Sequence, residues 1–342
     1  MRLNLKTSAA AVVLAGLLQP AAAAADELVL YCSPQIEWCN LMVEAFTRET
    51  GIPVAMTRKS SGETFAQIKA ESSNPRGDVW WGGTGDPHLA AAEEGLTEEY
   101  RSPMLDELHP WARQQAEQSG YRTVGIYAGA LGYGYNSELL EQIGAEAPAC
   151  WSDLLKPEFE GEIEVANPNS SGTSYTTLAT LVQIMGEEEA FEYFEALHKN
   201  ITQYTKSGSA PIKNAARGEV AIGIVFQHDA VTQTVEGFPI VTVSPCEGTG
   251  YEIGSMSIIK GAPNPEAARA FYDFALRADV QELAAEAKAY QVPSNMNAKA
   301  PEQAPDFAEI NLIDYDFAKY GSADERARLL ARWDAEIGSQ PK

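Results

Sequence analysis

The sequence has few basic residues, and this shortage excludes several classes of function. Its 342 residues include 25 Lys and Arg against 48 Asp and Glu, which gives a formal net charge of −23 at pH 7. A protein that binds nucleic acid or an anionic membrane needs clustered Lys and Arg, and the sequence has no such cluster. We therefore expect no nucleic-acid partner. Any anionic ligand would have to be held by local backbone dipoles against the overall negative field.

Long apolar runs are missing beyond the first 25 residues. Arg2 and Lys6 form a short positive region, which is followed by an apolar stretch over 9–18 and a small-residue zone over 21–25. This order is typical of a secretory signal peptide, and the stretch is too short to span a membrane. We predict cleavage after Ala25, so that the exported chain begins at Asp26. Because Asp26 is not a cysteine, no lipid anchor is expected.

Cysteine is also scarce, with four residues in the chain. Four cysteines in an exported protein favour two disulfides, for which three pairings exist. We favour Cys32–Cys39 and Cys150–Cys246, because Cys32 ends the first predicted strand and Cys39 lies on the helix that follows. Ser33 is predicted to cap that helix, with proline as its first residue. A metal site is the alternative, although no Cys-x-x-Cys or Cys/His spacing supports it.

The rest of the chain alternates apolar strands, Gly/Ser-rich turns and helices. This pattern is typical of an α/β protein with a largely parallel sheet. A glycine-studded extended segment over 124–136 is predicted to cross into a second lobe, and a strand over 251–259 to cross back. The predicted units are a signal peptide over 1–25, the first part of lobe 1 over 26–125, lobe 2 over 126–254, and the second part of lobe 1 with a C-terminal appendage over 255–342.

Three turns rich in hydroxyl groups and glycine stand between a predicted strand and the start of a helix. At such turns, free backbone N–H groups and the positive end of the helix dipole receive anions. Ordinary helix capping explains most such turns taken singly, but three of them in one α/β chain favour an oxyanion site. Lys206 lies in a further turn. Its side chain is predicted either to add a positive charge to the oxyanion site or to remain solvated at the surface. The predicted oxyanion-binding residues are Ser60, Ser61, Thr84, Ser171, Gly172 and Thr173.

A second group of polar residues follows the apolar strand predicted over 220–226. His228 and Asp229 lie at the end of this strand, and Glu252 lies near the start of the strand over 251–259. Open α/β sheets bind ligands at the carboxyl edge of their strands, so we expect these side chains to hold the hydroxyls of a small ligand. The alternative is that the pair merely starts the next helix.

A His-Asp pair can also serve in catalysis. However, the sequence has no G-x-S-x-G motif, and adjacent His and Asp side chains do not easily orient one another as in a catalytic triad. We therefore expect no catalytic residues and no enzyme.

The chain also resembles a known protein family. The resemblance rests on motifs that occur in the family's order over nearly all of residues 26–342. They are Leu28-Val-Leu-Tyr31, Thr50-Gly-Ile-Pro-Val54, Gly77-Asp-Val-Trp-Trp81, Asn167-Pro-Asn-Ser-Ser-Gly-Thr173, Ala262-Pro-Asn-Pro-Glu-Ala-Ala268 and Val292-Pro-Ser-Asn295. The chain is similar to the periplasmic substrate-binding proteins of ABC importers, in the two-lobed class that contains the ferric-ion receptors.

The resemblance implies a monomeric periplasmic receptor of the type II fold, in which two α/β lobes close on a ligand about a hinge. It also implies a membrane permease as partner, and it implies no cofactor. Ferric receptors of this class place a Tyr pair where this chain has Phe226-Gln227-His228, and often a carboxylate where it has Gly83. Both differences remove the hard oxygen ligands that Fe³⁺ requires.

The pattern is closest to the sugar-phosphate receptors of this class, which bind sugar hydroxyls with a His-Asp pair and a later Glu. The resemblance therefore implies that His228, Asp229 and Glu252 bind the sugar of a hexose phosphate, while the Ser/Thr/Gly turns bind its phosphate. Carboxylates accept hydrogen bonds from vicinal diols. They suit an ammonium group equally, so an aminoalkylphosphonate is the main alternative ligand. A ferric-ion receptor and a secreted phosphate-ester hydrolase are the less favoured alternatives.

Overall fold

The computed structural model describes residues 27–341, so the predicted signal peptide and its cleavage site lie outside the described residues. No helix in that range has both the length and the apolarity that crossing a membrane requires. The strands are β1 (Leu28–Cys32), β2 (Val54–Arg58), β3 (Val79–Trp81), β4 (Val124–Asn136), β5 (Ile163–Ala166), β6 (Ile201–Thr205), β7 (Ile222–Phe226), β8 (Ile240–Val243), β9 (Tyr251–Ile258) and β10 (Val292–Pro293). The helices are α1 (Ile36–Thr50), α2 (Ser61–Ala70), α3 (Gly85–Glu93), α4 (Pro110–Gln118), α5 (Ser137–Ile143), α6 (Gly172–Met185), α7 (Glu187–Asn200), α8 (Ala210–Ala216), α9 (Gln227–Val235), α10 (Pro265–Ala275), α11 (Ala278–Gln281), α12 (Phe317–Tyr320) and α13 (Ala323–Trp333).

The strands lie in the order β2-β1-β3-β9-β4-β7-β5-β6, with β8 and β10 also paired to β4. At the two ends of this order the pairing is parallel: β1 pairs with β2 and β3, and β5 pairs with β6 and β7. The long strand β4 pairs antiparallel with β9 and β10 in one half, and with β7 and β8 in the other. The predicted two-lobed α/β fold is thus confirmed, and β4 runs through both lobes.

Two separate hydrophobic cores define the lobes. The first lobe is built on β1, β3 and β9, and its core includes Leu28, Trp81 and Phe271. The second lobe is built on β5 and β7, and its core includes Tyr175 and Phe226. The chain's C-terminal part, which includes α13, contributes buried residues to the core of the second lobe. The residue numbers at which we divided the chain into lobes remain a prediction.

The turn between β1 and α1 differs from the prediction. The helix begins at Ile36 with Gln35 as its N-cap residue, two residues later than predicted. Ser33 does not cap the helix because its hydroxyl accepts a hydrogen bond from the indole N–H of Trp80 at 2.9 Å. Gln35 makes no side-chain capping bond either, so its side chain is available for other contacts.

Both predicted disulfides are present. Cys32–Cys39 is buried and joins the end of β1 to α1, so it fixes the turn between them. Cys150–Cys246 links residues 96 positions apart in the second lobe. Because a cross-link restricts the unfolded chain more strongly when it closes a longer loop, the second disulfide should contribute more through chain entropy.

Replacing both Cys150 and Cys246 with Ala should lower the free energy of unfolding by about 2–5 kcal/mol. Ligand affinity should stay unchanged, because neither residue lies at the crevice between the lobes. Urea denaturation measures the first quantity and calorimetric titration the second. A variant as stable as the wild type would contradict the assignment of a stabilising role to this cross-link.

Candidate functional site

A small cavity of about 50 Å³ lies between the two lobes. All but one of the predicted ligand-binding residues line it. The lining residues are Ser33, Pro34, Gln35, Arg58, Ser60, Ser61, Gly83, Thr84, Tyr127, Ser171, Gly172, Thr173, Gly208, Ser209, Phe226, His228, Asp229, Glu252 and Gln291.

One end of the cavity is formed by the N-termini of helices from both lobes. Ser60, Thr84 and Ser171 are the N-cap residues of α2, α3 and α6. The helices point to one place because the carboxyl ends of parallel strands, and hence the starts of the following helices, share one edge of a sheet. The first N–H groups of each helix have no partner within the helix and carry its positive dipole end. This end of the cavity is therefore suited to an oxyanion.

Hydroxyl groups add to these backbone donors. The Ser61 hydroxyl accepts a hydrogen bond from the backbone N–H of Thr84 at 3.2 Å, which joins two of the turns. The hydroxyl of Thr84 is buried and has no hydrogen-bond partner within the described protein. A buried polar group without a partner costs free energy, so this hydroxyl is free to bond to a ligand.

The lobes touch directly at this end. The backbone N–H groups of Gly62 and Glu63 donate to the carbonyl of Ser170 across the crevice, at 3.0 and 3.3 Å. A Cβ atom on Gly172 would lie 1.9 Å from the hydroxyl oxygen of Thr84. The glycine therefore permits the two lobes to approach this closely, and the structure is in a closed conformation.

Arg58 supplies a positive charge in the cavity wall, close to Asp229, a role for which the sequence suggested Lys206. Arg58 ends β2, and its guanidinium donates to the carbonyls of Pro34 at 2.9 Å and Ser33 at 3.3 Å. These bonds hold it in the wall of the cavity. Lys206 is exposed and does not line the cavity, although Gly208 of the same turn does. Binding of a ligand by Lys206 remains a prediction.

The other end of the cavity carries His228, Asp229 and Glu252, as predicted. His228 and Asp229 lie in the first turn of α9, so they both start the helix and face the cavity. The Nε2 atom of His228 lies 3.9 Å from an Asp229 carboxylate oxygen and 4.0 Å from one of Glu252. These distances are too long for hydrogen bonds, so the three groups converge without bonding to one another, although one oxygen of Asp229 accepts a hydrogen bond from Gln35.

Burial controls the ionisation of this group. Desolvation raises the pKa of Glu252 well above its usual value, and the charges of Asp229 and Asp86 raise it further. Desolvation also lowers the pKa of His228, partly offset by the attraction of Asp229. His228 is consequently a neutral imidazole at pH 7, able to donate from one nitrogen and accept at the other.

Ten of the nineteen lining residues were not predicted from the sequence, among them Arg58, Tyr127 and Gln35. Arg58 and Tyr127 come from strands of the first lobe, and Gln35 from the start of α1. Tyr127 accepts a hydrogen bond from the backbone N–H of Gly83 at 2.8 Å, which fixes the turn before α3. Gln35 donates from its amide to the carboxylate of Asp229 across the crevice. The only sequence signal for these residues is their position at the end of a strand or the start of a helix.

Two α/β lobes that close over a small polar cavity define the class of the protein as a solute receptor of the type II binding-protein fold. The family of bacterial extracellular solute-binding proteins matches residues 86–320, and the chain belongs to this family.

Relatives with high identity support this assignment along nearly the whole chain. The chain is 43% identical over 338 residues to an uncharacterised protein of Haemophilus influenzae, covering 98% of each. It is similar to the periplasmic binding protein AfuA of Actinobacillus pleuropneumoniae, solved with exogenous fructose 6-phosphate bound, with 46% identity, a TM-score of 0.90 and coverage of 92% of this chain and 99% of that one. Iron-bound HitA from Pseudomonas aeruginosa shares the fold, with 22% identity, a TM-score of 0.74 and coverage of 90% and 98%.

Replacing Glu252 with Gln should stabilise the protein increasingly as the pH rises. Below the pKa of about 4.3 that Glu has in an unfolded chain, the carboxyl is protonated in both states and contributes no difference. Above it the unfolded state ionises while the folded state resists, so wild-type stability falls until the pH passes the raised pKa of Glu252. Each unit of pKa difference corresponds to about 1.4 kcal/mol, or roughly 3–6 °C in the Tm of a domain of about 150–250 residues.

The measurement is the ligand-free Tm of the variant minus that of the wild type, from pH 4 to pH 8. Glu302→Gln, which changes an exposed carboxylate outside the cavity, is the matched control and should show no such trend. A difference for Glu252→Gln that does not grow with pH would contradict the burial argument.

Proposed function

We propose that this protein is the periplasmic receptor of an ABC importer for a phosphorylated sugar, with a hexose phosphate as the favoured ligand. The observation that carries the proposal is the polarity of the cavity between the lobes. Helix N-termini line one end, His228, Asp229 and Glu252 line the other, and Arg58 lies near Asp229. A molecule with a dianionic head and a tail of hydroxyl groups matches both ends at once.

At the anionic end, the phosphate oxygens would accept hydrogen bonds from helix N-termini of both lobes. Hydroxyl donors of Thr84 and Thr173 stand beside these N–H groups. A ligand held there contacts both lobes together, so its binding favours the closed conformation over an open one. A membrane permease would then recognise the closed receptor.

At the sugar end, the side-chain oxygens of Asp229 accept hydrogen bonds from hydroxyl groups. Because burial raises the pKa of Glu252, its carboxyl can also donate. Neutral His228 both donates and accepts, and its Nδ1 atom is buried without a partner among the described residues. This mixture of donors and acceptors suits hydroxyls, which themselves do both.

The relative from Actinobacillus pleuropneumoniae supports the same ligand class, because it holds fructose 6-phosphate and shares 46% of its sequence with this chain. An aminoalkylphosphonate is the rival ligand, since two acidic groups at one end also attract an ammonium group. Against a hydrolase, the Ser–His contact of His88 with Ser257 is fully buried and lies outside the cavity. We also propose that the protein is located in the periplasm, is monomeric and has a membrane permease as its partner.

Calorimetric titration tests the ligand class directly. The purified protein is titrated with fructose 6-phosphate, glucose 6-phosphate, fructose, inorganic phosphate and 2-aminoethylphosphonate. Both hexose phosphates should bind far more tightly than either half of the molecule alone. Tighter binding of the aminophosphonate than of any sugar phosphate would replace the proposal with its rival, and turnover of the ester would replace it with a hydrolase.

Replacing Asp229 with Ala should weaken hexose-phosphate binding by about 1–3 kcal/mol, or roughly 5–150-fold, because a ligand hydroxyl loses a buried acceptor. The fold should be unaffected, since Asp229 contributes to the crevice and not to a hydrophobic core. Glu302→Ala, which removes one exposed carboxylate elsewhere, is the control for net charge. Titration with fructose 6-phosphate decides the matter, and equal affinities of both variants would argue against Asp229 as a ligand-binding residue.

Replacing Gly172 with Ala should weaken binding by obstructing closure. The new Cβ would clash with the hydroxyl of Thr84 in the opposite lobe, and an added methyl group in a packed contact costs about 1–3 kcal/mol. Alanine is otherwise well suited to the first turn of α6, so the Tm without ligand should not fall. The same titration and a melting curve measure both effects. An unchanged affinity would mean that ligand binding does not require this contact between the lobes.

A further inference from the structure

A second chamber lies directly beyond the sugar end of the cavity. It has a volume of about 380 Å³, is partly open to solvent, and is bounded by α1 and residues 286–288 of the first lobe, and by α8 and α9 of the second. Gln35 and Asp229 line both the chamber and the ligand cavity. The two spaces therefore share one wall, and that wall is made by these two side chains.

The wall between the two spaces consists of two side chains joined by a hydrogen bond. The Gln35 amide donates to a carboxylate oxygen of Asp229 across the crevice. Gln35 reaches this position because, although it is the N-cap residue of α1, its side chain makes no capping bond. The disulfide Cys32–Cys39 fixes the turn that carries it. The Oε1 atom of Gln35 is buried and has no partner among the described residues, so the amide is held chiefly by its bond to Asp229.

The lining of the chamber mixes acidic with basic side chains, so it suits a polar group without net charge, such as a second sugar ring. The acidic residues are Glu37, Asp229, Glu236 and Glu286, and the basic ones are Lys213, Arg217 and Lys288. An ion pair between Lys288 and Glu236, at 2.9 Å, lies in its lining and presents donors and acceptors together. Thr232 and Gln233 add neutral hydrogen-bonding groups, and Phe238 offers a partly exposed apolar face. Small-molecule sites combine apolar surface with a few placed polar groups in this way.

We propose that Gln35 sets the length of the ligand that this receptor accepts. Its side chain ends the sugar cavity after a single ring. The chamber beyond it is a subsite for a second ring, and in the wild-type protein the Gln35 side chain separates this subsite from the ligand cavity. Removing the side chain of Gln35 joins the two spaces, so that a disaccharide monophosphate fits with its phosphate at the helix N-termini and its second ring in the chamber. This inference rests on the proposed function.

The test compares four proteins by calorimetric titration with fructose 6-phosphate, glucose 6-phosphate, sucrose 6F-phosphate and trehalose 6-phosphate. In both disaccharides the second ring is attached at the anomeric carbon, away from the phosphate. The wild type should bind the hexose phosphates and bind the disaccharide phosphates at least about 100-fold more weakly. Gln35→Ala should gain at least about tenfold for a disaccharide phosphate relative to its own affinity for the hexose phosphates.

Two further variants test whether the volume of the Gln35 side chain excludes the disaccharides and whether their second ring occupies the chamber. Gln35→Met keeps the bulk of the side chain without its hydrogen bond, and it should still exclude the disaccharides. Phe238→Ala combined with Gln35→Ala removes a chamber residue remote from the ligand cavity. It should reduce the gain for the disaccharide phosphates and leave hexose-phosphate affinity as in Gln35→Ala.

The outcomes distinguish this inference from the function on which it rests. If the wild type binds hexose phosphates, the inference is overturned by any of three results: strong wild-type binding of a disaccharide phosphate, no gain in Gln35→Ala, or an equal gain in Gln35→Met. The proposed function survives all three. A wild type that binds no sugar phosphate overturns the proposed function, and the inference with it.

Discussion

The structure depends on bringing helix N-termini from two lobes to one point. An acidic chain with a net charge of −23 repels an anion at long range, so capture has to come from groups in direct contact. The turns before α2, α3 and α6 provide these groups, because each ends in a hydroxyl-bearing N-cap residue at the cavity wall. Parallel pairing at the outer strands of each lobe makes this geometry possible, since it places every helix start at the same edge of the sheet.

A cavity with opposite electrostatic ends follows from that arrangement. Arg58 remains protonated at any working pH, even though burial lowers its pKa, and it lies near Asp229. Asp229 and Glu252 stand at the end of the cavity away from the helix N-termini, close enough that the charge of Asp229 contributes to the raised pKa of Glu252. An anionic group is therefore favoured at one end and opposed at the other. This difference orients a ligand before any individual hydrogen bond discriminates among its hydroxyls.

The parts of the site that the sequence predicted are those with a local signal. Hydroxyl- and glycine-rich turns before helices, and a His-Asp pair after an apolar strand, are recognisable without knowledge of tertiary structure. Arg58 and Gln35 carry no such signal, because an Arg at the end of one strand and a Gln at the start of one helix are ordinary surface residues in a sequence. Their roles arise from the turn after β1, whose carbonyls hold Arg58 and whose buried Ser33 leaves Gln35 as the N-cap residue. Lys206 was suggested for its charge, but two residues later in the same turn it is Gly208 that reaches the cavity.

One face of α9 carries both Asp229 of the cavity and the residues that contact the first lobe. Asp229, Thr232 and Glu236, the last at the helix end, are spaced so that they lie on the same side, and each contacts the first lobe. Thr232 donates to the carbonyl of Lys288 at 2.9 Å, and the ammonium of Lys288 pairs with Glu236. Lys288 has a φ of 54°, a conformation that costs a non-glycine residue free energy, so contacts from α9 are needed to hold it there. Because Asp229, which we propose to bind the ligand, shares a helix with the residues that dock the lobes, a ligand hydroxyl that positions Asp229 would also position the docking contacts.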